Sequence, residues 1–350
     1  MKKKHHISSL CCILMFLVLQ FPCKAQLRGM RVMEYNVENL FDTLHTVSLS
    51  DADFTPQGAY QWDTRRYWSK LSKLSRVIAS VGGVQPVDLV ALVEVENDSV
   101  IHDLTHRTKL WRMGYEAIVS HSQDVRGINV ALLYLPHRFR VLNHDSLRVY
   151  PVSRKQRVSR DVLHVAGELV TGDTLDVYVC HLPSRRGGSI AQRYRAQVAQ
   201  RLRAFVDSVA STRQRPYTLL TGDFNGYWPE EFIKESLRAE LVPPLLSSCQ
   251  SNQLYLLTHQ MQGRADVRGT YKYQGEWNQL DHFIVNGALL SQSTSQQPCI
   301  SVRSCKLFDA PFLLKKDPKG DGVRPYRSYL GTYYQGGYSD HLPIFLDIAF

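Results

Sequence analysis

The sequence predicts one layered α/β domain, and three observations carry that reading. Short apolar runs rich in Val, Leu, Ile and Tyr recur along the chain, two amphipathic stripes with helical spacing lie between them, and no Ser/Gly-rich linker intervenes. With 350 residues, 44% hydrophobic and 21% charged, the chain has ample material for a core, which excludes a disordered tail or a collagen-like fibre. Seven cysteines are too few to staple a chain of this length with disulfides.

The first residues form a unit of their own. Lys2, Lys3 and Lys4 precede an apolar run from Ile7 to Phe21, and Cys23-Lys24-Ala25 offers a small-residue cleavage site before Gln26. The run is about 15 residues, short of the roughly 20 that span a bilayer, so no stable membrane anchor is expected. Phe21-Pro22 do not supply the small residues a lipoprotein signal needs before Cys23. A signal peptide over residues 1–25 and a single domain over residues 26–350 are expected, exported to the periplasm or secreted. The leader carries four lysines and no acid, so its removal lowers the formal charge from +10 to +6. That surplus is too mild to name a nucleic-acid partner, although Arg154, Lys155, Arg157, Arg160, Arg185 and Arg186 could supply phosphate contacts. Of the remaining cysteines, Cys180 reads as a small core residue, and Cys299 and Cys305 are close enough in sequence to bridge, with Cys249 as a competitor.

Strands are expected at Arg31 to Val37, Val87 to Val95, Gly127 to Leu135, Leu175 to Leu182, Tyr217 to Gly222, Leu280 to Val285 and Leu342 to Ala349. Some alternate and others are continuously apolar, as strands covered on both faces are. Tyr67, Leu71, Leu74, Ile78 and Val81 recur at helical spacing and stop at Gly82-Gly83, and Ile190, Tyr194, Val198, Leu202, Phe205 and Val209 form a second stripe. From about Ser291 to Tyr338 the chain is rich in Pro, Gly, Lys and Tyr with little periodicity, and reads as a long turn-rich loop.

Polar residues sit repeatedly at strand ends. Asn36 and Glu38 close the first run, Glu94 and Glu96 the second, His181 follows Cys180, and Asp223 and Asn225 follow Leu220. Asp281 opens one strand and Asp340-His341 precede the last. Each has a plain explanation as a cap, a turn or an ion pair, but carboxylates are rarely buried unpaired, and so many together point to a site. Carboxylate and amide oxygens without a Cys/His cluster suit a hard divalent cation: Mg²⁺ first, with Mn²⁺ or Ca²⁺ as alternatives. Adjacent histidines suit proton transfer, which completes the parts needed for metal-assisted attack of water on a phosphate ester.

Five segments in order, Glu34-Tyr35-Asn36-Val37-Glu38-Asn39-Leu40-Phe41-Asp42, Leu92-Val93-Glu94-Val95-Glu96-Asn97, Gly222-Asp223-Phe224-Asn225, Gln279-Leu280-Asp281-His282-Phe283 and Ser339-Asp340-His341-Leu342-Pro343, resemble the signature of the endonuclease/exonuclease/phosphatase superfamily. The resemblance spans roughly Met30 to Phe350. It implies a four-layer α/β sandwich, two mixed sheets face to face with helices outside, and an active site where strand ends meet. It assigns Glu94 and Asn36 to the metal, and Asp223 and Asn225 to the attacking water and phosphate. Asp340 would assist a second metal position or tune its neighbour, and Asp281 would orient His341. His181, in Val179-Cys180-His181-Leu182-Pro183, resembles a second histidine that contacts the scissile phosphate. Arg160 resembles a phosphate-contacting arginine, and Arg185, in the basic loop after His181, is a further candidate. The expected function is an exported, metal-dependent, endonuclease-like phosphodiesterase acting on a phosphoester, with nucleic acid as a candidate; no protein partner is inferable. A phospholipid, sphingolipid or sugar-phosphate substrate is the alternative, for which Tyr326, Tyr329, Tyr333, Tyr334 and Tyr338 could supply an aromatic loop. A non-catalytic binding protein on the same fold is the third reading.

Overall fold

Each of the seven apolar runs becomes a strand, and both stripes become helices. The computed structural model describes residues 29–152, 156–259, 261, 263–264, 266–290, 297–318 and 320–350; the expected leader, with Arg154 and Lys155, lies outside them. One seven-stranded sheet contains β1 (Gly29–Leu40), β2 (Leu89–Val95), β3 (Glu116–Val119), β4 (Asn129–Tyr134), β14 (Cys299–Ile300), β15 (Lys306–Leu307) and β20 (Ile344–Ala349). The other contains β5 (Phe139–Leu147), β6 (Val162–Leu169), β7 (Thr174–His181), β8 (Tyr217–Asp223), β9 (Ala239–Leu241), β10 (Leu254–Leu256) and β13 (Asp281–Asn286). Three hairpins lie outside the sheets: β11 (Tyr271–Tyr273) with β12 (Glu276–Asn278), β16 (Leu314–Lys316) with β17 (Val323–Pro325), and β18 (Tyr329–Leu330) with β19 (Tyr333–Tyr334).

The first sheet runs β14-β20-β1-β2-β4-β3, with β15 also on β20; the second runs β5-β6-β7-β8-β13-β10-β9. The β1–β2 and β7–β8 pairs are parallel amid antiparallel neighbours, so each needs a crossover, supplied by α1 (Thr64–Gly82) and α3 (Gly188–Ser211). Asp63 caps α1 by accepting the backbone N–H of Arg66, and the helix ends at Gly83 with φ 69°. Tyr67, Leu71, Leu74, Ile78 and Val81 are buried, as the stripe requires; truncating Leu74 to Ala would cost about 2–5 kcal/mol.

Alternation along β7 and β8 shows how the layers stack. Val177, Val179 and Leu219 belong to the core cluster shared with Met33, Tyr35 and Leu92 of the first sheet. Tyr178, Cys180 and Leu220, pointing the other way, pack with Tyr194, Val198 and Leu202 of α3. Both faces are covered, which is why these runs are continuously apolar. The result is the four-layer sandwich of two mixed sheets with helices outside.

The structure corrects one expectation and closes one alternative left open by the sequence. The segment after Ser291 is not one unbroken loop, since its described part contains β14 to β19. Cys299 and Cys305 are not bridged to each other. Cys299 pairs with Ala349 of β20 whereas Lys306, next to Cys305, pairs with Phe345, so about 13 Å of strand separates the two positions.

Candidate active site at the strand ends

The second sheet sets a row of three catalytic-type side chains by register alone. Asp223, at the end of β8, lies opposite His181 on β7 and Asp281 on β13. Gly222 permits this row: its φ is 136°, and a Cβ there would stand 1.9 Å from the Cys180 carbonyl oxygen. The first sheet delivers its side chains by breaking register. Pairing of β1 with β2 shifts between Asn36 and Leu40, and pairing of β2 with β4 shifts between Val93 and Val95. At those shifts Glu38, Asn39 and Glu94 take φ values of 54°, 52° and 68°, left-handed backbone that non-glycine residues adopt at a cost. Such irregularities re-aim side chains at strand ends, and Glu94 is re-aimed so that its Oε2 accepts the backbone N–H of Asn39 at 2.9 Å.

Distances join the two sheets into one site. Asn36 Nδ2 donates to Asp223 Oδ2 at 3.1 Å. His181 Nε2 stands 3.8 Å from both Glu94 Oε1 and Asp223 Oδ2. His341 Nδ1 pairs with Asp281 Oδ2 at 2.7 Å, which leaves its Nε2 4.0 Å from Asp223 Oδ2. Asn225 holds both neighbours, its backbone N–H donating to Asp223 Oδ1 at 2.8 Å and its Nδ2 to the Leu182 carbonyl at 3.0 Å. The Ser339 hydroxyl donates to the Asn36 carbonyl at 2.6 Å and accepts the His341 N–H at 3.1 Å, tying the last loop to the first strand.

Protonation follows from this burial. Burial lowers the proton affinity of His341, but Asp281, then Asp223 and Asp340, outweigh it and hold the ring well above the usual histidine range, hence charged. His181 goes the other way, pushed well down by burial and by Arg160, Arg126 and His341, and is neutral. Burial and Asp281 raise Asp223 to about 7, against the opposing effects of His341 and the Asn225 N–H. Two histidines of opposite charge state around one carboxyl poised near neutrality form an acid–base pair.

The donor set fits a hard cation. Asp223 and Asp281 bring carboxylate oxygens within 4.8 Å of the His341 ring, which as a charged donor does not itself ligate, so a cation would take its oxygens from Asp223 and the neighbouring Glu94 and Asn36. The raised Asp223 marks a surplus of buried negative charge that a divalent cation would relieve, and among the described residues Glu94 Oε1 has only the 3.8 Å approach of His181 Nε2.

Not every expected residue converges here. Arg160 does: its guanidinium is buried, donates to the Leu182 carbonyl at 2.8 Å and reaches Asp124 at 3.3 Å. Arg185 is held at the surface by Glu230 at 2.7 Å and lies over the Tyr227 ring. Asp340 is taken up by Arg327 at 2.7 Å, beside His341 but outside the Asp223 row. Glu38 does not face the metal candidates. Its carboxylate accepts the backbone N–H groups of Ser328 and Tyr329, and Lys70 lies beside it, so it pins the β18 segment to the end of β1.

Sequence reasoning missed four residues. Glu34 is fully buried, and its carboxyl oxygens, like Asp281 Oδ1, have no hydrogen-bond donor among the described residues. Burial and Asp281 hold its proton affinity well above the usual carboxylate range. Its signal was parity, since Glu34 and Asn36 are two apart on one strand and share a face. Tyr271 packs its ring 4.9 Å from that of His341, and Arg126 and Arg327 flank the site. These three lie in loops or hairpins without a periodic pattern.

A sandwich of two mixed sheets with acids, amides and histidines gathered at the strand ends is the architecture of phosphoesterases that attack with water. The model of the Endonuclease/Exonuclease/phosphatase family matches residues 31–349, and the chain belongs to that family. Solved structures share the fold at low identity. TDP2 of D. rerio complexed with single strand DNA product is 16% identical, with 92% of this chain and 99% of that chain covered and a TM-score of 0.54. The human Nocturnin catalytic domain with bound sulfate anion is 16% identical, with 92% and 94% covered and a TM-score of 0.52. An endonuclease/exonuclease/phosphatase from Bacteroides vulgatus is 14% identical, with 91% and 98% covered and a TM-score of 0.53. No curated protein matches the chain.

Proposed function

We propose that the protein is an exported, metal-dependent phosphodiesterase that cleaves nucleic-acid strands by attack of water on phosphorus. The observation that carries this is the His181–Asp223–Asp281 row closed by a charged His341, with Glu94 turned in by a left-handed backbone. Glu94, with Asn36 and Asp223 beside it, would hold a divalent cation, Mg²⁺ first and Mn²⁺ or Ca²⁺ as alternatives, whose chemistry there is neutralisation of charge on phosphoryl oxygens. Asp223, oriented by the Asn36 amide and the Asn225 N–H, takes a proton from the attacking water. His341, fixed through Nδ1 by Asp281, presents Nε2–H to the charge that develops on the phosphoryl group, and neutral His181 lines the opposite wall with Arg160 behind it. Asp340 acts on His341 through its charge.

The TDP2 relative bound to single-stranded DNA favours nucleic acid over other esters. The aromatic loop considered for a lipid surface packs inward, with Tyr329 and Tyr338 buried, Tyr326 and Tyr334 half-buried, and Tyr333 exposed. No helix among the described residues is long and apolar enough to cross a membrane. The deciding experiment is a phosphoester panel of DNA, RNA, sphingomyelin and a sugar phosphate, run with Mg²⁺ and with EDTA, for wild type and Asp223→Ala. Strand cleavage lost in EDTA and in the variant is expected; activity indifferent to both would refute the reading. Export is tested by N-terminal sequencing of protein recovered outside the cytoplasm, with Gln26 expected first.

A further inference from the structure

Arg126 belongs to none of the sequence motifs, yet it stands beside the site. It lies in the turn before β4, where Asp124 accepts the Arg126 backbone N–H on Oδ1 at 2.9 Å and the Gly127 N–H on its carbonyl at 2.9 Å. That same buried carboxylate stands 3.7 Å from Arg126 Nε and 3.3 Å from Arg160 Nη1. One acid therefore ties together two guanidinium groups with different environments. Arg160 is buried and donates to the carbonyl of Leu182, the residue after His181. The Arg126 side chain is 46% exposed, and its two terminal nitrogens have no protein acceptor among the described residues. Both charges bear on His181, after burial itself, which locates Arg126 on the His181 side of the site. Two other arginines near the rim are committed, Arg185 to Glu230 and Arg327 to Asp340, each at 2.7 Å, and Arg186 is exposed in the loop after His181.

We propose that Arg126 receives the phosphate adjacent to the scissile one in a polynucleotide strand, which makes it a specificity-determining residue for polymeric over single-diester substrates. The inference rests on the phosphodiesterase reading above and deepens it. The scissile phosphate is already surrounded by His181, Asp223 and His341, so a cationic fork at the rim adds contacts only when the substrate carries a second phosphate nearby. Asp124 fixes the root of the fork and leaves its outer edge for a bidentate contact.

Two measurements decide it. In EDTA, fluorescence anisotropy with a short fluorescein-labelled single-stranded oligonucleotide reads binding without turnover. Arg126→Ala should weaken affinity about tenfold and lower the salt slope by about one, with Arg126→Lys recovering part of the loss. With Mg²⁺, the ratio of kcat/KM on the oligonucleotide to that on bis(p-nitrophenyl) phosphate should fall about tenfold in Arg126→Ala. An unchanged affinity, or an unchanged ratio whatever happens to each rate, overturns the proposal. A wild type that binds the oligonucleotide through Arg126 but hydrolyses neither substrate overturns the phosphodiesterase reading and leaves the Arg126 contact standing.

Discussion

Replacing Asp281 with Asn tests the acid–base pair at its root. The substitution keeps the shape and a hydrogen-bond acceptor for His341 Nδ1 but removes the negative charge 2.7 Å away. That charge is the largest influence raising the proton affinity of the ring against burial, so its loss lowers the proton affinity of His341. Asp223, 4.0 Å from Nε2, and Asp340 remain to hold part of the charge, so the fall is partial. In wild type, His341 is charged well above the usual histidine range, so the imidazolium sets the alkaline limb of the profile while Asp223, the base, sets the acid limb. In Asp281→Asn that alkaline limb should move acidward. The maximal kcat should fall on the order of 10²–10³, because the ring also loses its fixed orientation. The assay is kcat/KM against pH on an oligonucleotide with saturating Mg²⁺, with circular dichroism to confirm folding. A folded variant with an unmoved alkaline limb and kcat within about threefold of wild type would refute the assignment of His341 as the charged acid.

Other expectations follow from the same geometry. Glu94→Gln should lower Mg²⁺-dependent kcat by on the order of 10² and raise the Mg²⁺ concentration for half-activity, both read by metal titration. Because folding raises Asp223 and Glu38 to about 7, their contribution to stability is complete below the ordinary carboxylate range and is lost as pH rises through about 7. Mg²⁺ should therefore raise the Tm more at pH 8 than at pH 5; an equal effect at both would separate the cation from Asp223. Gly222→Ala should destabilise by on the order of 3 kcal/mol or more, seen as a lower denaturant midpoint, since the new Cβ meets the Cys180 carbonyl. Reducing agent should leave the Tm unchanged, as Cys299 and Cys305 are unbridged.

The seven apolar runs and two stripes were legible because burial on both faces of a sheet, or along one face of a helix, leaves a strong periodic mark. The edge strand β5 was not, since most of Phe139–Leu147 is exposed and its pattern carries no apolar alternation. The helix α2 (Asp98–His106) was too short for a stripe, although Asn97 caps it by accepting the Val100 N–H. At the site, Asp223, Asn225, Asp281, His181, His341, Asn36 and Glu94 could be named because chemistry restricts which side chains stand at strand ends. What sequence could not give was the use of each acid. Glu38 and Glu94 look alike in the chain, and only the register shifts decide that one turns into the site while the other binds the backbone of Ser328 and Tyr329. Arg185 and Arg126 look equally basic, and only their neighbours distinguish the one held by Glu230 from the one left open to substrate.

The Ser339 hydroxyl joins Asn36 to His341 across 303 residues in one case and two in the other. The pieces of the site therefore meet only once the chain has been made as far as His341. A nascent chain that stops short of His341 would already carry Glu94 and Asp223, yet lack both the charged ring and the strand β20 that seats on β1. On the proposed reading, competence for hydrolysis would thus wait until His341 and β20 are in place, however early Glu94 and Asp223 are made.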